Sequence, residues 1–124
     1  AGGETVIPVS AATIADSISV DLPRDGVRAV RAARQTNGTY LTVSDDAIIQ
    51  AIAELGKMGV FAEPAGAAAY AGLVKAAASG AVRGEDPILV LNTGSGLKDV
   101  RAAMRAVVEA PIIEPSLEAL KKIL

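Results

Sequence analysis

Short apolar runs alternate along the chain with segments in which apolar residues recur at helical spacing. The short runs at residues 5–7, 40–43, 60–62 and 87–91 predict strands, and the last is apolar throughout, so we expect it to be buried on both faces. Strands that alternate with helices are typical of an α/β fold with a parallel sheet. The pattern therefore predicts a partial parallel sheet flanked by helices.

Capping residues and helix breakers predict where the helices lie. The expected starts are Thr13, for a short turn through Ile18, and then Asp25, Ser44, Pro64, a turn at residues 92–96 and Ser116. The expected ends are Asn37-Gly38, Gly56 with Gly59, Gly80 and Pro111. The expected inward faces are Val27, Val30 and Ala33; Ile48, Ile52 and Leu55; Leu97, Val100, Met104 and Val107; and Leu117, Leu120 and Leu124.

The predicted sheet is too narrow for the helices that must pack on it. Three or four short strands stand against about five helices, whereas a sheet covered by helices normally has more strands. We expect the sheet to be completed by strands from elsewhere, either another part of the same chain or a second subunit.

Composition narrows the possible chemistry. The 124 residues are 51% apolar, enough for a core in one domain and too apolar for general disorder. The absence of His and Cys excludes a Ser/His/Asp triad, a thiol nucleophile and Cys- or His-ligated metal sites. Lysines, carboxylates, hydroxyls, backbone amides or a cofactor must carry any reaction.

Charge and chain ends bear on partners and location. A net charge of −2 argues against nucleic acid or an acidic membrane surface, and the apolar runs are too short to span a bilayer. The lack of cysteine fits an intracellular protein, and we expect a cytoplasmic one. The opening Ala1-Gly2-Gly3-Glu4 reads like the middle of a longer chain, so we expect a fragment.

The strongest candidate site is the predicted strand–turn–helix at residues 91–99. Ligands of parallel α/β sheets bind beyond the carboxyl ends of strands, where free amides of a helix start attract anions or polar ring atoms. Gly94 and Gly96 would allow backbone to approach a ligand closely. The spacing is neither a P-loop nor GxGxxG. The alternative is a glycine-rich connection in which Thr93 or Ser95 only caps the helix.

Three further features each have an ordinary structural explanation. Glu63 precedes an Ala/Gly-rich helix and could face a ligand, although a carboxylate there also stabilises the helix dipole. The polar run Thr13, Asp16, Ser17 and Ser19 could line a pocket or simply form caps and turns. A stripe of basic residues could bind phosphate but is more typical of a solvated helix face; it comprises Arg24, Arg28, Arg31 and Arg34. We identify no cluster of metal ligands in the sequence.

Four motifs in order resemble the C-terminal region of pyridoxal-phosphate enzymes of fold type II, the tryptophan-synthase-β type. They are Thr-Ile-Ala-Asp-Ser-Ile at 13–18, Val-Ser-Asp-Asp-Ala-Ile at 43–48, Glu-Pro-Ala-Gly-Ala-Ala at 63–68 and Thr-Gly-Ser-Gly-Leu-Lys-Asp at 93–99. Threonine synthases and threonine/serine dehydratases share the first three. The fourth resembles the threonine synthase branch, because dehydratases usually carry Ser-Gly-Gly-Asn there.

The resemblance implies a cofactor wall. The Thr93 hydroxyl would face the pyridine nitrogen of pyridoxal phosphate and leave it largely unprotonated, which tempers the electron sink. Gly94 and Gly96 would lie against the cofactor, and Glu63 would lie near its ring. Ser17 and Ser19 lie on a segment that passes the active site in the family, which implies contact with substrate. Lys98 and Asp99 are interpreted as positioning the following helix.

The resemblance also implies what the chain lacks. The family forms its Schiff base through a lysine in a Ser-x-Lys-type motif and holds the cofactor phosphate in a Gly/Asn-rich loop, and neither is present. Residues 1–124 are therefore expected to be a C-terminal fragment of the catalytic domain, inactive alone, with no catalytic residue of its own. Its partner would be the rest of its chain or a second subunit, in a homo-oligomer.

The complete enzyme would convert O-phospho-L-homoserine and water to L-threonine and phosphate. Two alternatives remain open at this point: a fragment of a pyridoxal-phosphate-dependent threonine/serine dehydratase, and a stand-alone α/β binding or interaction module without catalysis.

Overall fold

Helices provide the regular structure of residues 5–124, the part of the chain that the computed structural model describes. Two 3-10 turns, Asp16–Ile18 and Gly96–Lys98, accompany the α-helices. The α-helices are α1 (Gly26–Gln35), α2 (Asp45–Lys57), α3 (Pro64–Ala78), α4 (Val100–Arg105) and α5 (Leu117–Lys121). The opening four residues, on which the expectation of a mid-chain start was based, lie outside the described part.

Most predicted helix boundaries are confirmed. The Ser44 hydroxyl accepts the Ala47 amide at 3.2 Å, and Pro64 is the first residue of α3. Asn37 ends α1 with a φ of 55°, the left-handed conformation that Asn tolerates better than most residues. Asp25 precedes α1, but its side chain makes no capping hydrogen bond and pairs instead with Arg28 at 3.4 Å.

The core lies where α2 packs on α3. Ile48, Ile52 and Leu55 are all buried, as the helical spacing predicts. The opposing face of α3 is built from small residues, with Ala67 and Ala71 buried, so the two helix axes can approach closely. Partial burial, with the nearby Glu54 carboxylate, raises the pKa of Tyr70 on α3.

The four predicted strands are not formed within residues 5–124. The described residues contain no strand, and the one isolated bridge joins Ala62 to Ser95 in antiparallel fashion. The expected burial of residues 87–91 is not observed, since Leu89 is 84% exposed. A strand persists only where a neighbour pairs its backbone groups, and the described segments do not pair in this way. The parallel sheet is therefore unconfirmed.

The predicted inward face around α4 is wrong. Leu97, Val100, Met104 and Val107 are all exposed, and Ala102 is the buried residue of α4. The 3-10 turn delays the α-helix to Val100 and α4 ends at Arg105, so residues 97–107 never form one continuous helical stripe. The leucines expected to face inward at the end of the chain, Leu117, Leu120 and Leu124, are exposed as well.

Within the described part, every helix is too short or too polar to cross a membrane.

Shortening a side chain between α2 and α3 tests this core. Ile52→Ala should lower the free energy of unfolding by about 2–5 kcal/mol, because it removes transfer energy and leaves a cavity. Guanidinium titration of the purified protein measures it. Ile112→Ala is the matched control: Ile112 is fully exposed, so its loss should change stability by less than about 0.5 kcal/mol. Equal effects would contradict the assigned core.

Candidate functional site

A buried carboxylate, Glu63, is the point at which three of the sequence motifs meet. It precedes α3, is 4% exposed, and is the one buried charged residue in the described part of the chain. Its Oε2 accepts a hydrogen bond from the Ser17 hydroxyl at 3.3 Å, and its Oε1 accepts one from Lys98 Nζ at 3.2 Å. Because a buried polar group is costly unless it has hydrogen-bond partners, these two donors stabilise the Glu63 carboxylate at this place.

Backbone hydrogen bonds tie the glycine-rich turn to the segment that carries Glu63. The Glu63 amide donates to the Gly94 carbonyl at 3.0 Å, and the Gly96 amide donates to the Phe61 carbonyl at 2.9 Å. Together with the Lys98 ion pair, these bonds join the turn to residues 61–63 at three successive points. The turn that contains Thr93 is therefore fixed from one side by α3 and the residues before it.

The glycines of this region are required by packing inside the chain. A Cβ at Gly94 would overlap the Glu63 carboxylate, and one at Gly96 would overlap the Phe61 ring. A Cβ at Gly66, on α3, would overlap the Asn92 side chain. Close approach of a ligand remains the predicted reason for Gly94 and Gly96, and packing within the chain is a second reason that needs no ligand.

The first motif is anchored to the second, a link that sequence reasoning missed. The Thr13 hydroxyl donates to Asp45 Oδ1 at 2.6 Å, and the Ile14 amide donates to Asp45 Oδ2 at 3.2 Å. Thr13 is predicted to cap a helical turn. Its hydroxyl accepts the Ala15 amide at 3.2 Å, but the turn begins at Asp16 and the same hydroxyl also bonds to α2. This anchor holds the first motif where Ser17 reaches Glu63.

A small cavity of about 110 Å³ lies beside Glu63. Its polar lining consists of Asp16, Ser17, Glu63, Lys98 and Asp99. A larger, mostly apolar groove of about 640 Å³ is lined chiefly by α2, α4 and the residues after α4, and it contains no residue of the four motifs. The polar cavity, although smaller, is where the candidate residues converge.

The structure separates the predicted site residues into two groups. Ser17, Glu63, Gly94 and Gly96 come together, and Thr93 is exposed on the same turn. Ser19 ends the first 3-10 turn, where its amide donates to the Asp16 carbonyl at 3.0 Å, and it does not line the cavity.

The two residues after the glycine-rich turn have different roles. Asp99 caps α4 by accepting the Ala102 amide at 2.9 Å, which confirms that it positions the following helix. Lys98 was assigned the same role, but its ammonium pairs with Glu63. The sequence gives no periodic signal for this pair, because 35 residues separate its members.

The chain is similar to one protein-family model and to several known proteins. A family model described as pyridoxal-phosphate dependent enzyme matches residues 1–94. The chain is 40% identical over 107 residues, 86% of its length, to the threonine synthase of Halalkalibacterium halodurans. It is 38% identical over 113 residues, 90% of its length, to that of Methanocaldococcus jannaschii, and 38% identical over 104 residues, 83% of its length, to that of Mycobacterium tuberculosis. The chain spans 30%, 28% and 28% of these relatives, respectively.

Adding one methyl group to the turn tests the packing around Glu63. Gly94→Ala should lower the free energy of unfolding by about 1–3 kcal/mol, since the new Cβ must displace the carboxylate or the turn. Gly72→Ala is the control. It lies in α3 with open space around it, and Ala should stabilise the helix by roughly 0.5–1 kcal/mol. Thermal or denaturant unfolding of both variants measures the contrast; a neutral Gly94→Ala would contradict the close packing.

Proposed function

The chain belongs to the family of pyridoxal-phosphate-dependent enzymes, and we propose on that basis that it forms the C-terminal part of a threonine synthase. The complete enzyme converts O-phospho-L-homoserine and water to L-threonine and phosphate. One observation carries this proposal: the Thr-Gly-Ser-Gly-Leu-Lys-Asp turn at 93–99, the motif that distinguishes this branch, is held on the buried Glu63. Three relatives named threonine synthase, each at least 38% identical to the chain, support it.

The residues of the turn fit one side of the cofactor. Thr93 is exposed on a turn that is fixed from behind, so its hydroxyl is available to a ring nitrogen without rearrangement of the backbone. A neutral hydroxyl partner leaves such a nitrogen largely unprotonated, unlike a carboxylate partner. When bound, pyridoxal phosphate supplies the electron sink for bonds at the amino-acid substrate. Thr93, Gly94 and Gly96 would hold the ring, with Glu63 supporting the turn behind them.

Substrate contact in this part of the chain falls to Ser17. It lines the polar cavity next to Glu63 and Lys98, whereas Ser19, the other serine proposed to bind substrate, lies outside that lining. The lysine that forms the Schiff base and the loop that binds the cofactor phosphate would lie outside these 124 residues, so residues 1–124 alone would be inactive.

The unpaired apolar segments support the proposal that the sheet is completed from outside this chain. Leu89 and Leu91 are 84% and 66% exposed, in a segment with the composition of a buried strand. In the complete enzyme, a cytoplasmic homo-oligomer, this segment would join a parallel sheet contributed by the remaining residues or by a second subunit. Burial of these side chains would then supply hydrophobic stabilisation that is absent here.

Substrate assays of the full-length protein test the reaction. We expect phosphate release and threonine formation from O-phospho-L-homoserine, and no ammonia release from threonine. Phosphate and ammonia are measured colorimetrically with the cofactor-loaded protein. Ammonia from threonine without phosphate release would identify a dehydratase, and turnover of neither substrate would favour a binding module; either result would contradict the proposal.

A hydroxyl deletion tests the cofactor wall. In the full-length enzyme, Thr93→Ala should lower turnover by roughly five- to tenfold, because loss of one hydrogen bond costs about 1–1.5 kcal/mol. The absorbance of bound cofactor should persist. Thr93→Ser keeps the hydroxyl and should retain most of the activity. Unchanged turnover in Thr93→Ala would contradict the assignment of Thr93 to the cofactor site.

A further inference from the structure

We propose that Lys98 is a positioning residue for the glycine-rich turn, acting through its ion pair with Glu63. This inference rests on the proposed function only in that the turn is taken as a wall of the cofactor site. Lys98 follows that turn directly, in the 3-10 turn Gly96–Lys98, and its ammonium lies 3.2 Å from Glu63 Oε1. The ion pair therefore links the end of the turn to the residue before α3.

The two partners have very different exposure. The Glu63 side chain is 6% exposed and that of Lys98 is 61% exposed. A pair between two exposed side chains contributes little, but a buried carboxylate that loses its cation is left uncompensated. The consequence of removing Lys98 therefore falls on Glu63, which would be displaced from its buried place.

Displacement of Glu63 would act on the turn through the backbone. The Glu63 amide donates to the Gly94 carbonyl, and its carboxylate occupies the space where a Gly94 side chain would be. The Gly96 amide donates to the Phe61 carbonyl two residues before Glu63. A shift of Glu63 would therefore loosen both hydrogen bonds that hold the turn, and with them the position of Thr93.

The residues around Glu63 increase the dependence of its carboxylate on Lys98. Two further carboxylates, Asp16 and Asp99, line the same cavity, while Ser17 offers Glu63 only a neutral donor. Lys98 is the cation of that lining. Without it, the cavity would hold three carboxylates and no positive charge.

Amide hydrogen exchange of the full-length, cofactor-loaded protein tests the proposal with a readout other than activity. In Lys98→Met, we expect exchange at the Glu63 and Gly96 amides to accelerate about tenfold or more, because their hydrogen bonds open more often. Lys98→Arg keeps the charge and should stay within about twofold of the unsubstituted protein. Lys121→Met, on α5, is the control for loss of a lysine elsewhere and should leave these amides unchanged. Unaltered exchange in Lys98→Met would overturn the proposal.

Kinetics and a double substitution separate positioning from a general loss of stability. Lys98→Met should lower kcat about tenfold to a hundredfold, as expected of a misplaced group, with KM within about twofold.

The double variant Lys98→Met/Glu63→Gln removes the charge that needs a cation. Its Gly96 amide should exchange more slowly than that of Lys98→Met alone; if Lys98→Met does not fold, the double variant should. Equal exchange or equal misfolding in both variants would overturn the role of the ion pair. Lack of phosphate release by the unsubstituted protein would instead defeat the proposed function, and the exchange comparison would still decide the role of Lys98.

Discussion

Burial of the Glu63 carboxylate is the constraint on which the arrangement of the site depends. A charge with 4% exposure requires donors brought from other parts of the chain, and here they come from Ser17, near the start, and Lys98, near the end. Its place before α3 also puts it at the positive end of that helix dipole. Segments that lie 46 and 35 residues from Glu63 in sequence thus converge at one point.

The same residue connects the core to the proposed cofactor wall. The α2–α3 packing fixes the start of α3, and Glu63 transmits that position to the turn through its amide and its carboxylate. Thr93 itself makes a small contribution to the fold, since it is exposed. This arrangement suits the proposed role of Thr93. Rigid neighbours position its hydroxyl and leave it available to a ring nitrogen.

Local signals in the sequence predicted local structure well. Capping chemistry identified the helix starts at Ser44 and Pro64. Helical spacing identified the buried face of α2, formed by Ile48, Ile52 and Leu55. Both signals act within a few residues. Contacts between distant segments were not predictable in this way: neither Thr13 with Asp45 nor Lys98 with Glu63 leaves a periodic pattern. The strand at 87–91 has the expected composition but finds no partner among the described residues, and pairing is a property of two segments rather than one. The family resemblance implied that Glu63 and the turn lie close to one another, and hydrogen bonds join them in the structure.

The proposed cofactor wall of a threonine synthase is the turn that Glu63 holds in place. A crystal structure of the full-length protein with pyridoxal phosphate bound would test it most directly. We predict that the Thr93 hydroxyl lies within hydrogen-bond distance, about 2.7–3.2 Å, of the pyridine nitrogen, while Glu63 remains bonded to Ser17 and Lys98. A cofactor bound away from this turn, or a pyridine nitrogen that meets a different side chain, would contradict the account.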